Sequence, residues 1–267
     1  MPEGDTVFRT AQRLDAALAG RVLTGCDLRV PRYATVDLSG RRVDGVVSRG
    51  KHLLIRLGDS SIHSHLKMEG VWHVYRAGER WRRPAHTARA VLRVGDAGSG
   101  GDSVRAAVGF SLGVLAVVPR EREEAAIGPL GPDLLGPDWD EGLAAANLGA
   151  DPERPVGLAL LDQRVMAGIG NEYRSEICFL RGVLPSTPVG EAGDPAAWAA
   201  LAHRLLAANR DRPVRTTTGI DRDGARTWVY DRARRVCRRC GTPVQVGRLG
   251  EGADRERTVW WCPSCQR

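Results

Sequence analysis

Two Cys-x2-Cys pairs, Cys237-Arg-Arg-Cys240 and Cys262-Pro-Ser-Cys265, restrict what the end of this chain can fold into. Each pair brings two thiolates to one edge of a tetrahedron, and four thiolates in that geometry suit Zn²⁺. The pairs are 21 residues apart, slightly more than the roughly 15–20 usual in zinc ribbons, so a lengthened hairpin is expected between them. Two disulfides are the alternative. The N-terminus has no basic stretch followed by a long apolar core, so secretion is not expected and one structural Zn²⁺ ion is favoured. Binding energy of roughly 10–16 kcal/mol is enough to order a short terminal module around such an ion. Cys26 and Cys178 are expected to be small buried residues rather than ligands.

The module would present many arginines: Arg232, Arg234, Arg235, Arg238, Arg239, Arg248, Arg255 and Arg257. Gly247 and Gly250 are expected to turn its hairpin. Residues 201–267 hold 15 basic against 7 acidic side chains, while residues 1–200 are nearly balanced at 24 and 25. A basic terminal quarter suits a polyanion such as nucleic acid, although a solvated basic face has the same composition. Of the 39 basic residues only Lys51 and Lys67 are lysine. Arginine binds phosphate well but exchanges no proton near neutral pH, so a site needing a titratable amine cannot accept it. With no apolar run of membrane-spanning length, a cytoplasmic protein is expected.

Val7, Ala11, Leu14 and Leu18 recur at helical spacing, with Asp5 or Thr6 as a cap and Gly20 as a stop. From Val22 to Pro119 the pattern changes to short apolar runs that read as strands: Val43–Val47, Leu53–Leu57, Val71–Tyr75, Arg89–Val94 and Val114–Val118. Gly58-Asp59 reads as a hairpin turn and Gly95–Gly101 as a flexible one. Successive strands joined by turns imply an antiparallel sandwich or barrel. Arg120–Pro137, with three Gly-Pro pairs, reads as a linker. Helices are expected at Glu141–Leu148, Val156–Leu161, Glu172–Phe179 and Ala196–Ala208, with the Met166-Ala167-Gly168-Ile169-Gly170-Asn171 turn opening the third.

The chain begins Met1-Pro2-Glu3-Gly4-Asp5. If Met1 is removed, Pro2 offers a secondary amine that can attack an electrophilic carbon and form an iminium, with Glu3 beside it to move the accompanying proton. With reference values of about 7.8 for an α-amine and 10.4 for lysine, the neutral fraction near pH 7.4 favours the α-amine over Lys51 more than a hundredfold.

Read together, the Met1-Pro2-Glu3-Gly4 start, the Gly168-Ile169-Gly170-Asn171 turn and the terminal cysteine cluster containing Arg257-Thr258-Val259-Trp260-Trp261-Cys262 resemble the bacterial formamidopyrimidine-DNA glycosylase and endonuclease VIII family over essentially the whole chain. The start, and Gly70-Val71-Trp72 after Met68, look like the endonuclease VIII branch. The resemblance implies a multidomain α+β protein: an N-terminal antiparallel β-sandwich with a leading helix (1–119), a linker (120–137), a helix-two-turns-helix unit (138–222) and a zinc finger (223–267). It implies a monomeric bifunctional DNA glycosylase and abasic-site lyase of base-excision repair that binds damaged DNA. Pro2 would be the Schiff-base nucleophile and Glu3 the acid that assists opening of the sugar ring. Lys51 matches the functional lysine of the sandwich. Asn171, the Gly170 amide and Arg257 would hold phosphate, and Met68, with Lys67 beside it, would fill the gap left by an extruded nucleotide. Ala107–Gly113 stands where the formamidopyrimidine branch carries an arginine-phenylalanine loop. Its absence favours oxidised pyrimidines over oxidised purines, and a zinc-containing protein that binds damage without cutting is the further alternative.

Overall fold

The computed structural model describes residues 2–95, 105–252 and 256–267. It resolves into two units, one of Met1–Pro2 and Thr6–Pro129, the other of Glu3–Asp5 and Leu130–Arg267.

The first unit is built on helix α1 (Gly4–Leu18) and eight strands: β1 (Val22–Leu28), β2 (Gly45–Arg49), β3 (His52–Leu57), β4 (Ser60–His65), β5 (Val71–Arg76), β6 (Ala88–Gly95), β7 (Arg105–Phe110) and β8 (Val114–Pro119). They form two four-stranded antiparallel sheets, ordered β1-β6-β7-β5 and β2-β3-β4-β8. Val7, Ala11, Leu14 and Leu18 of α1 join Leu23, Leu92 and Val94 of one sheet and Leu53, Ile55 and Ile62 of the other in a single core. This is the expected sandwich with its leading helix. The helix starts at Gly4, ahead of the expected caps, and Gly20 follows it at φ +77°. Gly58 turns β3 into β4 at φ +63°. The expected Gly95–Gly101 turn lies, beyond Gly95, outside the described residues.

Strand β4 has little apolar character, yet most of it is buried because its polar groups find partners. Ser64 Oγ accepts from Trp72 Nε1 at 3.1 Å, His63 Nε2 meets His52 Nδ1 at 2.8 Å, and Ser61 donates to Glu123. Glu123 opens α2 (Glu123–Ile127), a short helix inside the segment that reads as a linker. Its buried carboxylate also pairs with Arg56 at 2.8 Å, so a hydrogen-bonded plug stands where composition implies an open connection.

The second unit contains α3 (Glu141–Gly149), α4 (Val156–Ala159), α5 (Asn171–Arg181) and α6 (Pro195–Asn209), followed by the hairpin β9 (Gln245–Leu249) and β10 (Arg257–Trp261). Asp140 caps α3 by accepting from Leu143 N at 2.8 Å, and Asp194 caps α6 with Pro195 in its first turn. The helices enclose Ile169, Tyr173, Ile177, Trp198 and Leu206. A smaller core runs from Phe179 of α5 to Val229, Cys237, Val244 and Cys262. Gly247 does not turn the hairpin: it lies within β9 opposite Val259, where an added Cβ would stand 3.1 Å from the Trp261 ring. Among the described residues, no helix is long and apolar enough to cross a membrane.

Candidate active site

Glu3 is wholly buried and closes the start of α5 from the far end of the sequence. Its Oε2 accepts from Gly170 N at 2.7 Å and from Tyr173 N at 3.4 Å, while Oε1 accepts from Glu172 N at 2.8 Å. Amides at a helix start lack intrahelical partners and carry the positive end of the helix dipole, so a carboxylate is the natural occupant. The site demands glycine at 170, because a Cβ there would stand 2.4 Å from the Glu3 carboxyl carbon. Nearby, Gly4 N donates to Gly168 O at 2.9 Å, and Gly168 adopts φ +118°. The Gly-Ile-Gly-Asn turn is thus shaped by close approach of the N-terminal segment.

Asp5 is equally buried, and its carboxylate takes Arg215 in a two-toothed contact, with Nε to Oδ2 at 3.0 Å and Nη2 to Oδ1. The third nitrogen, Nη1, lies 2.7 Å from Glu172 Oε2 and 3.8 Å from Glu3 Oε1. The guanidinium stacks 4.8 Å above the Tyr173 ring. Burial, opposed by Arg215 and reinforced by Glu3 and Glu176, pushes the Glu172 carboxyl up to about 7. Glu176, one turn further, accepts from the amides of Trp228, Val229 and Tyr230 and from Thr217 Oγ1.

Asn171, the first residue of α5, is tied to the hairpin. Its Nδ2 donates to Thr258 O at 2.9 Å, and its Oδ1 accepts from Arg174, whose Nη2 also reaches Thr258 O at 2.8 Å. Thr258 follows Arg257, the exposed first residue of β10. The second unit therefore gathers Glu3, Gly170, Asn171 and the Arg257 strand around one helix start. Arg174 is wholly buried, and its Nε and Nη1 have no hydrogen-bond partner among the described residues.

The Sγ atoms of Cys237, Cys240, Cys262 and Cys265 all lie within 4.8 Å of one another. Cys237 and Cys265 are 3.9 Å apart and Cys240 and Cys262 3.4 Å. Four thiolates at about 2.3 Å from a tetrahedral ion stand roughly 3.8 Å apart, so the donor set and its spacing fit a metal. The separations are far beyond the ~2.05 Å of a disulfide. Cys178 is buried and Cys26 half-buried, and neither joins the cluster.

The remaining candidates lie in the first unit. Half-buried Pro2 stands immediately before Glu3. Lys51 occupies the tight turn between β2 and β3, after Gly50 at φ +56°. Beside it in sequence, His52 packs on His63 and His65, with ring centroids 5.1 and 5.0 Å away. Burial, followed by neighbouring His63, pushes His52 down to about 3, and burial with Lys67 pushes His65 down to about 4. Lys67 adopts φ +53°, and its amide donates to His65 Nδ1 at 2.9 Å. Met68 is 64% exposed in the loop that follows.

Nothing in the Sequence analysis singles out Arg215, Glu172, Arg174 or the histidines His52, His63 and His65 as candidate residues. The histidines alternate visibly in His63-Ser64-His65, a period-two signal for one sheet face. Arg215 has no such signal among 37 arginines, since its partners are 210 and 43 residues away.

An antiparallel sandwich followed by a helical unit that ends in a four-cysteine hairpin, with a buried glutamate next to the N-terminal proline, defines a narrow class of protein. Residues 1–103 match the Formamidopyrimidine-DNA glycosylase N-terminal domain. The chain is 56% identical over 270 residues to a probable endonuclease 8 2 of Streptomyces coelicolor, covering 100% of this chain and 94% of that protein. It is 55% identical over 266 residues to a DNA-(apurinic or apyrimidinic site) lyase of Mycolicibacterium smegmatis, covering 100% of this chain and 99% of that one. Its fold resembles that of a Lactococcus lactis formamidopyrimidine-DNA glycosylase bound non-covalently to DNA with an abasic site, at TM-score 0.77, 19% identity and 99% coverage of both chains. The chain belongs to the formamidopyrimidine-DNA glycosylase and endonuclease VIII family, on its endonuclease VIII side.

Proposed function

We propose that this protein is a bifunctional DNA glycosylase and abasic-site lyase of base-excision repair, acting on oxidised pyrimidines through Pro2. The carrying observation is the fixed position of Glu3: three amides of one helix start hold the carboxylate directly after the proline. High identity to an abasic-site lyase over the whole chain supports the same activity.

On this reading Met1 is removed and the Pro2 nitrogen attacks the anomeric carbon of an extruded nucleotide. The base leaves, Glu3 delivers a proton to the ring oxygen, and the ring opens to an iminium. The iminium acidifies the neighbouring carbon, which allows elimination of the 3′ and then the 5′ phosphate. Lys51 moves a proton during base release. Asn171 and Arg257 hold phosphate, with Gly170, whose own amide is committed to Glu3, shaping the turn beside them, while Met68, flanked by Lys67, fills the vacated stack and slows return of the nucleotide. Cys237, Cys240, Cys262 and Cys265 hold one Zn²⁺, which with four protein ligands has no open position and orders the hairpin. The protein works as a monomer in the bacterial cytoplasm, at the nucleoid. Residues 1–119, 138–222 and 223–267 serve as catalytic sandwich, helical DNA-binding region and zinc finger, with 120–137 between the first two.

The preference for pyrimidines draws on the connection between β7 and β8. Only Ser111-Leu112-Gly113 separates Phe110 from Val114, with Ser111 at φ +47°, which leaves no room for a long loop facing the opposite strand. Borohydride trapping on oligonucleotides with defined lesions tests the proposal, with the trapped peptide mapped by mass spectrometry. The adduct is expected on residue 2, first with oxidised pyrimidines. An adduct on Lys51 or Lys67 overturns the role of Pro2, and faster trapping with oxidised purines overturns the lesion class. Tight binding of damaged DNA without trapping would favour a non-cutting protein.

A further inference from the structure

Strand β5 is an edge of its sheet among the described residues, paired with β7 alone, so every second N–H and C=O along it faces away from the ladder. Where this edge meets α1 there is a cavity of about 260 Å³. Leu14 and Val74 give it an apolar lining, and Arg13, His73, Arg82 and Arg105 a basic one. No carboxylate lines it among the described residues. Burial and the neighbouring Arg9 both push the Arg13 pKa down, and no acidic group acts against them. Arg82 Nη2 has Glu79 Oε1 only at 3.6 Å, with the two side chains 69% and 38% exposed, so water screens that pair and the guanidinium keeps most of its field. The β5–β6 connection adds Arg80 and Arg83 to Arg82, against Glu79 as its one acid.

His73 is set as a donor in this cavity. The buried Tyr75 hydroxyl accepts from Arg82 N at 3.1 Å, so its own proton goes to His73 Nδ1 at 2.9 Å. The imidazole proton then sits on Nε2. Burial, followed by Arg82, Arg13 and Arg83, pushes the His73 pKa down, as expected where guanidiniums converge on a half-buried ring. Three guanidiniums and an imidazole N–H, in a concavity without a negative charge, make an anion the complementary ligand.

We propose that this cavity is a second phosphate site, which takes a phosphate monoester and shares no residue with the contacts assigned to Asn171 and Arg257. Its volume lies just below the roughly 300–1,000 Å³ of sites for drug-sized ligands, which suits a phosphate with a small attached group. A monoester near neutral pH carries a charge of about −1.5 to −2 on three acceptor oxygens, enough to engage several guanidiniums at once. A diester inside a strand carries a single charge and has a sugar on either side, so it meets the rim of a concavity rather than its floor. The ligand is therefore the phosphate of a free nucleotide or of a strand end.

The test follows the His73 ring by NMR in histidine-labelled protein at about pH 7.5, where the monoester is mostly doubly ionised, and at constant ionic strength. The probes are inorganic phosphate, thymidine 5′-monophosphate and a short single strand with a 5′-phosphate, beside chloride, thymidine and the same strand with a 5′-hydroxyl. Phosphate and the mononucleotide are expected to shift the ring saturably, and chloride and thymidine to leave it unmoved. Arg13→Gln and Arg82→Gln are each expected to weaken binding at least about tenfold, since each removes a charge-assisted donor. Both side chains reach solvent, so the melting temperature of these variants should stay that of the wild type. Arg257→Ala should leave the His73 response intact. Tighter binding of the phosphorylated strand than of the mononucleotide assigns the site to strand ends, and equal binding assigns it to free nucleotides. Absence of a saturable shift, an equal response to chloride, wild-type affinity in both arginine variants, or loss of the response in Arg257→Ala overturns the site.

Discussion

At Gly170 one missing methyl group decides where the buried acid sits. A Cβ would overlap the Glu3 carboxyl at 2.4 Å, and that carboxyl cannot retreat without abandoning three amides. Gly170→Ala is expected to cost about 1–3 kcal/mol in thermal or urea unfolding and to abolish trapping, with DNA binding less affected. Wild-type trapping by this variant would show that Glu3 placement is unimportant. Lys51 permits a cleaner separation of charge from proton transfer. Lys51→Arg keeps the charge but cannot exchange a proton, so abasic-DNA binding should stay near normal while single-turnover base release slows strongly. Unchanged base release would reduce Lys51 to an electrostatic contact. The neighbouring histidines carry a stability prediction with a definite sign. Burial depresses His52 and His65 to about 3 and 4, so below their ordinary value near 6.5 the unfolded chain takes up protons that the folded one refuses. Their contribution is complete above about pH 6.5 and declines as pH falls toward 4. Melting temperature should therefore drop between pH 7 and 5, and His52→Phe should flatten that slope. Parallel slopes would contradict the assignment.

Elements with a strong apolar period were legible in the sequence, and those held by polar pairing were not. Helix α1 and strand β3 declare themselves through Val7, Ala11, Leu14 and Leu18 and through Leu53, Leu54, Ile55 and Leu57, all buried. Strand β4 hides its role, because Ser61, His63 and Ser64 look solvent-facing until Glu123, His52 and Trp72 supply partners. The same pairing makes a helix of a segment rich in glycine and proline. Gly247 misleads for a different reason: it is small because Trp261 lies across it. At the candidate site, Glu3, Gly170, Asn171 and the cysteines are legible because each belongs to a compact motif. Arg215 is invisible because its contacts are made entirely by tertiary folding. Strand β10 carries a prediction at this scale. Arg257 opens the strand whose next carbonyl anchors Asn171 and Arg174, so its side chain is aimed by a rigid ladder rather than a loose loop. If it neutralises one phosphate, Arg257→Ala should weaken DNA binding and lower the slope of log affinity against log salt by about one. An unchanged slope would put the side chain away from the DNA backbone.

Across the second unit, the cysteine cluster and the buried glutamate sit at opposite ends of the same helix. The eleven residues of α5, Asn171–Arg181, make a helix about 16 Å long at the usual rise. At the C-terminal end, Cys262 N donates to Gln266 Oε1 at 2.8 Å, Gln266 Nε2 reaches Val183 O at 2.9 Å, and Arg267 N reaches Gly182 O at 3.0 Å. Phe179 shares a core with Cys237 and Cys262, and the Arg239 guanidinium lies 4.4 Å over its ring. If the four cysteines hold the proposed Zn²⁺, its loss would leave four thiolates to repel or protonate and remove the constraint that closes these contacts. The damage should therefore travel along α5 to the amides that hold Glu3 and to the Thr258 contacts of Asn171. The first unit has its own core and should be spared. Scanning calorimetry of Cys240→Ser, or of protein stripped of metal by a chelator, is expected to show one transition moved to lower temperature and one unchanged. DNA affinity and borohydride trapping should both fall. If affinity falls while trapping at saturating DNA stays at the wild-type level, the hairpin serves binding alone, and α5 does not transmit its order to the carboxylate.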